Sequence, residues 1–594
     1  MSSKFWAELS NDYEKLFETE IGYDVIIYAG EEQYVKEIHA HSNILSIRSQ
    51  YFHSAFSNEL TEKKDGKFIF KKPNISPQLF NIILIIIFIL KYKMLSDPIN
   101  LVSFFVLGFI GWITHKILIW PFFVSPLKNI PGPPPDSLIY GNVKALLSIE
   151  ADGFVEPQFK WYKKYGNILK YYGIFNKPTI FVADPKIIQE ITLSRSYDFT
   201  KPYSNNKSAI ALLGKGLIFA EGDVYKRQRK MMNPAFSHSN IKGMVLDFIR
   251  VTTTLIDLIK KEMNQGNSNV NLTLYISKAT LDIIGLVGFS YEFNSLTSKR
   301  ICNSIRWSFQ CHSRYVSRCH YAIIMFSSYF SSVGHIPIDV NLRYKEACVV
   351  IHCESKKLID VKYKEAENGE LKNKDLLSLL INNNKTLPDE EKLTYDELKN
   401  QIMTFLIAGH ETTNVTTSWA LYLLAHHPHH QDLLREELVK AYPDKSQFNP
   451  TYDEIHSLEF LNCVLKEVLR IAAPIPISKR LNLKDEFFGK YLIPKASVQK
   501  SAEIWGPTAE EFDPKRWLDS ALIKKINNYN YLPFLNGARG CIGNKVASAE
   551  VKIMLAMLIM NFVFKPIEGF QIKRRALFTP KVDPYLGLGV SSYS

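Results

Sequence analysis

Residues 534–543 read Phe-Leu-Asn-Gly-Ala-Arg-Gly-Cys-Ile-Gly, and this stretch decides how the rest of the chain is read. Gly537, Gly540 and Gly543 surround a single cysteine, Cys541, a pattern that lets the backbone turn tightly and approach a flat ligand. The same turn aims amide N–H groups at the sulfur, and a helical pattern begins directly after it. Both effects favour the thiolate over the thiol. Arg539, two residues earlier, is placed to pair with a carboxylate on that ligand. For an isolated cysteine, a buried structural role in a glycine-rich turn is the better reading; the full ten-residue pattern argues against it.

Working outward, three further constellations stand upstream. Ala408-Gly409-His410-Glu411-Thr412-Thr413 lies inside a helical run expected from about Tyr395 to Leu424. Small residues at 408 and 409 let a flat cofactor and a diatomic ligand come close, and Glu411 with Thr412 offers an acid and an alcohol able to relay protons. Alone, the segment would equally suit a kink with a solvated glutamate; His410 reads as a packing or surface residue. Glu467-Val-Leu-Arg470 puts opposite charges on one helix face, as many surface pairs do, and Arg516 within Phe512-Asp-Pro-Lys-Arg-Trp517 offers a third member. Tyr225 and Arg229 are spaced i,i+4 ahead of Met231-Met-Asn-Pro-Ala-Phe-Ser237.

Together these segments resemble the cytochrome P450 family, over residues 125–594 and including Thr280–Leu296 and Thr579–Ser591. The resemblance implies a mainly α fold with small β-sheets and a haem (iron protoporphyrin IX) cofactor. By that resemblance Cys541 is the axial ligand of the haem iron, Phe534 shields its sulfur, and Gly537 and Gly543 shape the loop. Arg539 and Arg229 would bind haem propionates, with Arg480 a third partner. The family usually has tryptophan where this chain has Tyr225, whose O–H remains a donor. Thr412 would stabilise bound dioxygen, Glu411 would deliver protons, and Glu467, Arg470 and Arg516 would form a structural triad. The chain departs from the family's pattern between Ile493 and Ile504, where about one strand of residues is absent; that is either a loss able to destabilise the sheet beside the substrate channel or cripple activity, or a missed exon.

Residues 1–78 read as a small α/β unit. Tyr23–Tyr28 and Lys67–Phe70 are strand candidates, and His39–Phe56 suits a helix pair with Ile44, Leu45, Ile47, Tyr51, Phe52 and Phe56 on one side. This segment resembles the first half of a BTB/POZ domain and implies a recruited protein partner. Residues 79–124 hold two apolar runs and read as a membrane-anchor region. Leu79–Leu90 is short for a span, and its plain reading is a buried helix of the preceding unit; Ile99–Val124 is the better candidate. The flanking lysines leave the topology open between a hairpin and a single span. Residues 125–135, with Pro131-Gly-Pro-Pro-Pro135, read as a stiff spacer that holds the body, 136–594, off the membrane.

Composition bounds the partners. The 594 residues are 46% apolar and 22% charged, an ordinary globular balance. Seven cysteines without regular spacing argue against a secreted disulfide scaffold. Cys311-His312 and Cys319-His320 match no zinc spacing, and His426–His430 reads as a solvated helix corner. The net charge is +13, with residues 1–72 at −3 and the remainder at +16. No nucleic-acid motif accompanies the basic body, so nucleic acid is set aside in favour of lipid or an acidic redox partner.

With the family resemblance, these features imply an endoplasmic-reticulum monooxygenase whose catalytic domain faces the cytoplasm. It would act on an apolar lipid-like or xenobiotic substrate. Electrons would come from an NADPH-dependent flavoprotein reductase, or a cytochrome b-type donor, because the chain has no flavin or dinucleotide motif of its own. Two alternatives stay open: a haem-thiolate isomerase or dehydratase working without reductase, and a BTB-type interaction protein with an inactive haem body.

Overall fold

The computed structural model describes residues 12, 15–16, 19–30, 35–57, 62–72, 75, 77, 80, 83–84, 98–146, 156–202, 207–297, 336, 338–371, 375–482, 490–494, 498–576 and 579–593. The Cys311-His312 and Cys319-His320 pairs lie outside them. The chain divides into two compact units, residues 1–120 and 121–594.

In the first unit, strands β1 (Val25–Ala29) and β2 (Lys36–Ala40) pair antiparallel. Helices α1 (Ser42–Arg48) and α2 (Gln50–Phe56) follow, then strands β3 (Lys63–Lys64) and β4 (Lys67–Lys72). The sheet order is β2-β1-β4-β3, with β1 parallel to β4. Val25, Ile27 and Ala29 alternate into the core beneath Leu45, Phe52 and Phe70, as a strand with one buried face requires. The expected common face of the helix pair does not form. Ser49 adopts extended φ/ψ and caps α2 through Phe52 N, which resets the helical phase. Ile47 and Tyr51 therefore end up exposed while Ile44, Leu45 and Phe52 stay buried. Phe80 and Leu84, in the first apolar run, belong to this core. Helix α3 (Pro98–Thr114) continues through a wide-turn segment, His115–Val124. Phe105–Val124 is long and apolar enough to cross a bilayer and is only 6% buried.

The second unit opens with the proline-rich segment, which is not a free spacer. It lies along strand β5 (Ile168–Tyr172), where Lys170 N bonds Pro131 O at 2.8 Å and Lys170 Nζ bonds Lys128 O at 2.6 Å. Prolines leave carbonyls without competing amides, and β5 supplies the donors. Strands β6 (Pro178–Val182) and β7 (Phe199–Thr200) join the same sheet. The helical body comprises α4 (Gly222–Met232), α5 (Val245–Asn264), then, after β8 (Asn269–Asn271), α6 (Leu272–Phe289), α7 (Asp339–Glu367), α8 (Tyr395–His426), α9 (Pro428–Ala441) and α10 (Glu459–Ile471). Strands β9 (Ile477–Asn482) and β10 (Lys490–Pro494), helix α11 (Asn544–Asn561), and strands β11 (Phe562–Lys565), β12 (Lys573–Ala576), β13 (Pro580–Asp583) and β14 (Gly587–Ser592) complete it.

The large sheet has the order β5-β6-β10-β9-β7, and no gap interrupts it. β10 pairs parallel with β6, Tyr491 opposite Ile180, and antiparallel with β9, Tyr491 opposite Arg480. The shortened sequence after Pro494 thus leaves the sheet continuous, because β10 takes the place between β6 and β9.

Helix α8 is the axis of the body. Thr394 caps it through Glu397 N, and the Glu397 side chain returns to the Thr394 amide, a reciprocal pair that satisfies two orphan donors. It packs closely on α6 because Gly409 has no side chain: a Cβ there would lie 2.7 Å from Ile284 Cδ1. Gly409 therefore serves helix–helix contact. Leu272–Phe289 also passes a membrane-length test, but it is 72% buried and is a core helix.

Candidate active site

The cysteine loop is fixed from both sides. Leu535 and Gly537 take positive φ, 58° and 76°, and Cys541 N donates to Phe534 O at 2.9 Å, which closes the loop on itself. A Cβ on Gly537 would sit 2.0 Å from Thr192 O, so only glycine lets the loop rest on the Glu190–Ser194 segment. Here too the glycine answers to the protein's own packing. Gly543, by contrast, would bring a Cβ no nearer than 3.9 Å to Phe236. Cys541 is exposed, three residues before the first residue of α11, while Phe534 is half-buried against the main core.

Helix α4 braces this loop. Gln401 on α8 bonds both Gln228 at 2.9 Å and Leu217 N at 2.9 Å, which docks α4 onto α8. From the docked helix Tyr225 Oη donates to Ala538 O at 2.6 Å, and Arg229 Nη1 donates to Gly540 O at 2.7 Å. The Arg539 guanidinium lies 3.6 Å from the centre of the Tyr225 ring, donates to Ala220 O at 2.7 Å, and pairs with Glu221. Burial lowers its pKa to about 10. Burial also raises the Tyr225 phenol, which Arg229 and Arg480 partly oppose. The structure therefore holds the backbone around Cys541 with Tyr225 and Arg229, and Arg539 anchors the loop outward to Ala220 and Glu221.

Arg480 on β9 differs from these. It is 3% exposed, and Nη1 bonds Ser478 Oγ at 2.7 Å and Lys479 O at 2.9 Å. Its Nη2 is buried with no hydrogen-bond partner among the described residues. A buried guanidinium nitrogen without an acceptor is costly unless an anion meets it. A haem propionate is such an anion, so this donor fits one carboxylate of a haem.

The acid–alcohol pair sits mid-way along α8. Thr412 Oγ1 donates back to Ala408 O at 2.7 Å. Glu411 is 7% exposed; its Oε1 accepts from Lys581 Nζ at 2.6 Å and from Thr579 Oγ1 at 2.9 Å. Burial pushes the Glu411 carboxyl up, but Lys581, with smaller help from His410 and Thr579, outweighs burial and holds it below the ordinary range. His410 is fully buried, 3.3 Å from Thr280 Oγ1, with a pKa lowered to about 4 by burial. It is a neutral packing residue at pH 7.

The third constellation is wholly buried. Arg470 grips Glu467 with two bonds of 2.8 Å, and Arg516 Nε reaches Glu467 Oε1 at 2.9 Å. Trp517 Nε1 and Asp513 N add bonds at 2.9 and 3.0 Å. The remaining arginine donors go to carbonyls of Gln499, Thr508, Ala509 and Glu511. A surface pair would show none of this. His426 and His427 bond carbonyls one turn back at the α8–α9 corner, and no group of His, Cys, Asp or Glu among the described residues forms a metal cluster.

Sequence reasoning missed Lys581, Thr579 and Glu221. Lys581 and Thr579 meet Glu411 across about 170 residues, a separation at which no periodicity signals contact.

Comparison with known proteins agrees with this geometry. The family model for cytochrome P450 matches residues 131–581, and the BTB/POZ domain model matches residues 13–102. The BTB match thus runs past residue 78 and takes in the first apolar run. Cytochrome P450 monooxygenase 128 of Postia placenta is 32% identical, covering 78% of this chain and 92% of that protein. Cytochrome P450 monooxygenase sphH of Aspergillus fumigatus is 30% identical, covering 80% and 90%. These relatives are oxidoreductases named as monooxygenases, which does not favour the isomerase or the inactive-body alternative. The chain belongs to the cytochrome P450 family of haem-thiolate enzymes and carries a BTB/POZ segment ahead of its catalytic unit.

Proposed function

We propose that the chain is a membrane-anchored monooxygenase that inserts one oxygen atom from O2 into an apolar lipid-like or xenobiotic substrate. The observation that carries this reading is the orphaned, buried Nη2 of Arg480, taken with an exposed Cys541 in a loop braced by Tyr225 and Arg229. Bound haem would supply the oxygen-activating chemistry, with thiolate donation favouring O–O cleavage.

This chain's residues do the rest. Cys541 gives the thiolate, and Phe534 screens it from water. Arg480 takes a propionate; Arg229 and Tyr225 fix the loop carbonyls of Gly540 and Ala538, and Arg539 ties the loop to Ala220 and Glu221 and frames the anionic edge. Glu411 and Thr412 move protons toward the reacting oxygen. The basic body, +16 over residues 73–594, suits steering of an acidic reductase that passes on NADPH-derived electrons. Exposed Phe105, Leu107, Phe109 and Trp112 suit insertion of Phe105–Val124 into the endoplasmic-reticulum membrane, with the catalytic unit on the cytoplasmic side. The BTB/POZ segment would recruit a protein partner.

The test is Cys541→Ala in the full chain. The expected result is loss of the sulfur-ligated signature in the reduced-CO spectrum and in electron paramagnetic resonance. A variant that keeps that signature would remove Cys541 from the iron and overturn the reading.

A further inference from the structure

We propose that Lys581 is a positioning residue for the proton relay: it holds Glu411 ionised and turned toward the C-terminal hairpin, and it is the point at which protons enter from water. This deepens the monooxygenase reading and rests on it.

Both bonds to Glu411 fall on one oxygen. Lys581 Nζ and Thr579 Oγ1 meet Oε1 at 2.6 and 2.9 Å, so Oε2 is the atom left for a water on the α8 side. The Glu411 side chain is 9% exposed and that of Lys581 is 20% exposed, which makes the lysine the pair's contact with solvent. Thr412 already spends its single proton on Ala408 O. At rest it can only accept, so the proton it relays must come from a neighbouring donor. Glu411 stands next to it in the chain, and Lys581 stands next to Glu411 in space. When the ammonium hands a proton to Oε1 and regains one from solvent, one proton has moved from solvent to the carboxyl, and the pair carries one positive charge until the carboxyl passes that proton on.

Other groups packed around Glu411 do not supply this function. His410, its neighbour on α8, is neutral at pH 7 and is engaged with Thr280 of α6. At Gly409, α6 offers only apolar Ile284. Thr579 carries no charge. Among the described residues, Lys581 is the cation that faces the carboxylate.

The experiment compares Lys581→Met, Lys581→Arg and Thr579→Val in the full chain. Infrared difference titration follows the protonated-carboxyl band, assigned by its loss in Glu411→Gln. Lys581→Met is expected to move the Glu411 titration up by about one to three pH units. Lys581→Arg should restore it, and Thr579→Val should give a smaller rise. In haem-loaded protein, Lys581→Met should leave the thiolate spectrum unchanged while raising the share of NADPH electrons lost as peroxide several-fold; Lys581→Arg should reverse this. An unmoved Glu411 titration in Lys581→Met overturns the proposal. Because the infrared titration needs no haem, it still decides the role of Lys581 if Cys541 fails its own test.

Discussion

Burial and a hydrogen bond pull Glu550 in opposite directions. Burial raises its carboxyl from 4.5 to about 8, while a hydrogen bond from the Thr413 hydroxyl lowers it. Burial wins, and among the described residues Glu550 Oε1 has no hydrogen-bond partner. A folded-state pKa above the unfolded value contributes stability that is full below about pH 4.5 and is lost as pH rises through about 8. Glu550→Gln keeps a donor and cannot ionise. Chemical denaturation at pH 5 and pH 8.5 should therefore show a drop of a few kcal/mol in the wild-type protein and a flat response in the variant. Equal slopes in both would place the titration elsewhere. Burial of His410 has the opposite sense: it is kept neutral, so its contribution is lost as pH falls from about 6.5 toward about 4.

At the scale of elements, the buried charge network joins α10 to the chain ahead of the cysteine loop. Glu467→Gln removes the one negative charge facing Arg470 and Arg516, both buried. Loss of about 3–5 kcal/mol is expected, read as a lowered urea midpoint. A loss below about 1 kcal/mol would match a solvent-exposed pair instead. Gly537→Ala is expected to break the loop's seat on Thr192 and lower haem retention, measured as the ratio of haem absorbance to protein. Retention equal to the wild type would mean the loop can shift by more than 1 Å without harm. What the sequence made legible follows from locality. The span of α8, the strand at Lys67 and the Glu467–Arg470 pair rest on contacts within a few residues, where period and spacing speak directly. The phase reset at Ser49 was hidden because a single extended residue leaves the apolar pattern intact while turning the second helix. The partners of Arg539 and Glu411 were hidden because they come from distant segments, Glu221 and Lys581. β10's place in the sheet was hidden because pairing partners are not written in a strand's own composition.

For the whole molecule, the division at residue 120 makes the N-terminal unit and the catalytic unit separate folding bodies in the sense of contact density. Deleting residues 1–78 should leave the thiolate spectrum and turnover unchanged; a collapse of either would mean the BTB/POZ segment supports the haem unit. The two units also carry opposite charge, −1 over residues 1–120 and +14 over residues 121–594. Reductase-dependent turnover should therefore fall as ionic strength rises, while the response should be unaltered by that deletion.

The arginine bonds to the carbonyls of residues 499–511 have a consequence for evolution of the chain's length. That segment has little regular structure, yet Arg470 and Arg516 pin its backbone at Gln499, Thr508, Ala509 and Glu511. An insertion or deletion upstream of Gln499 is thus absorbed before it reaches the cysteine. The stretch after Pro494, which the sequence suggests is short for the family, lies upstream of those clamps, so a change of length there leaves the cysteine loop in register.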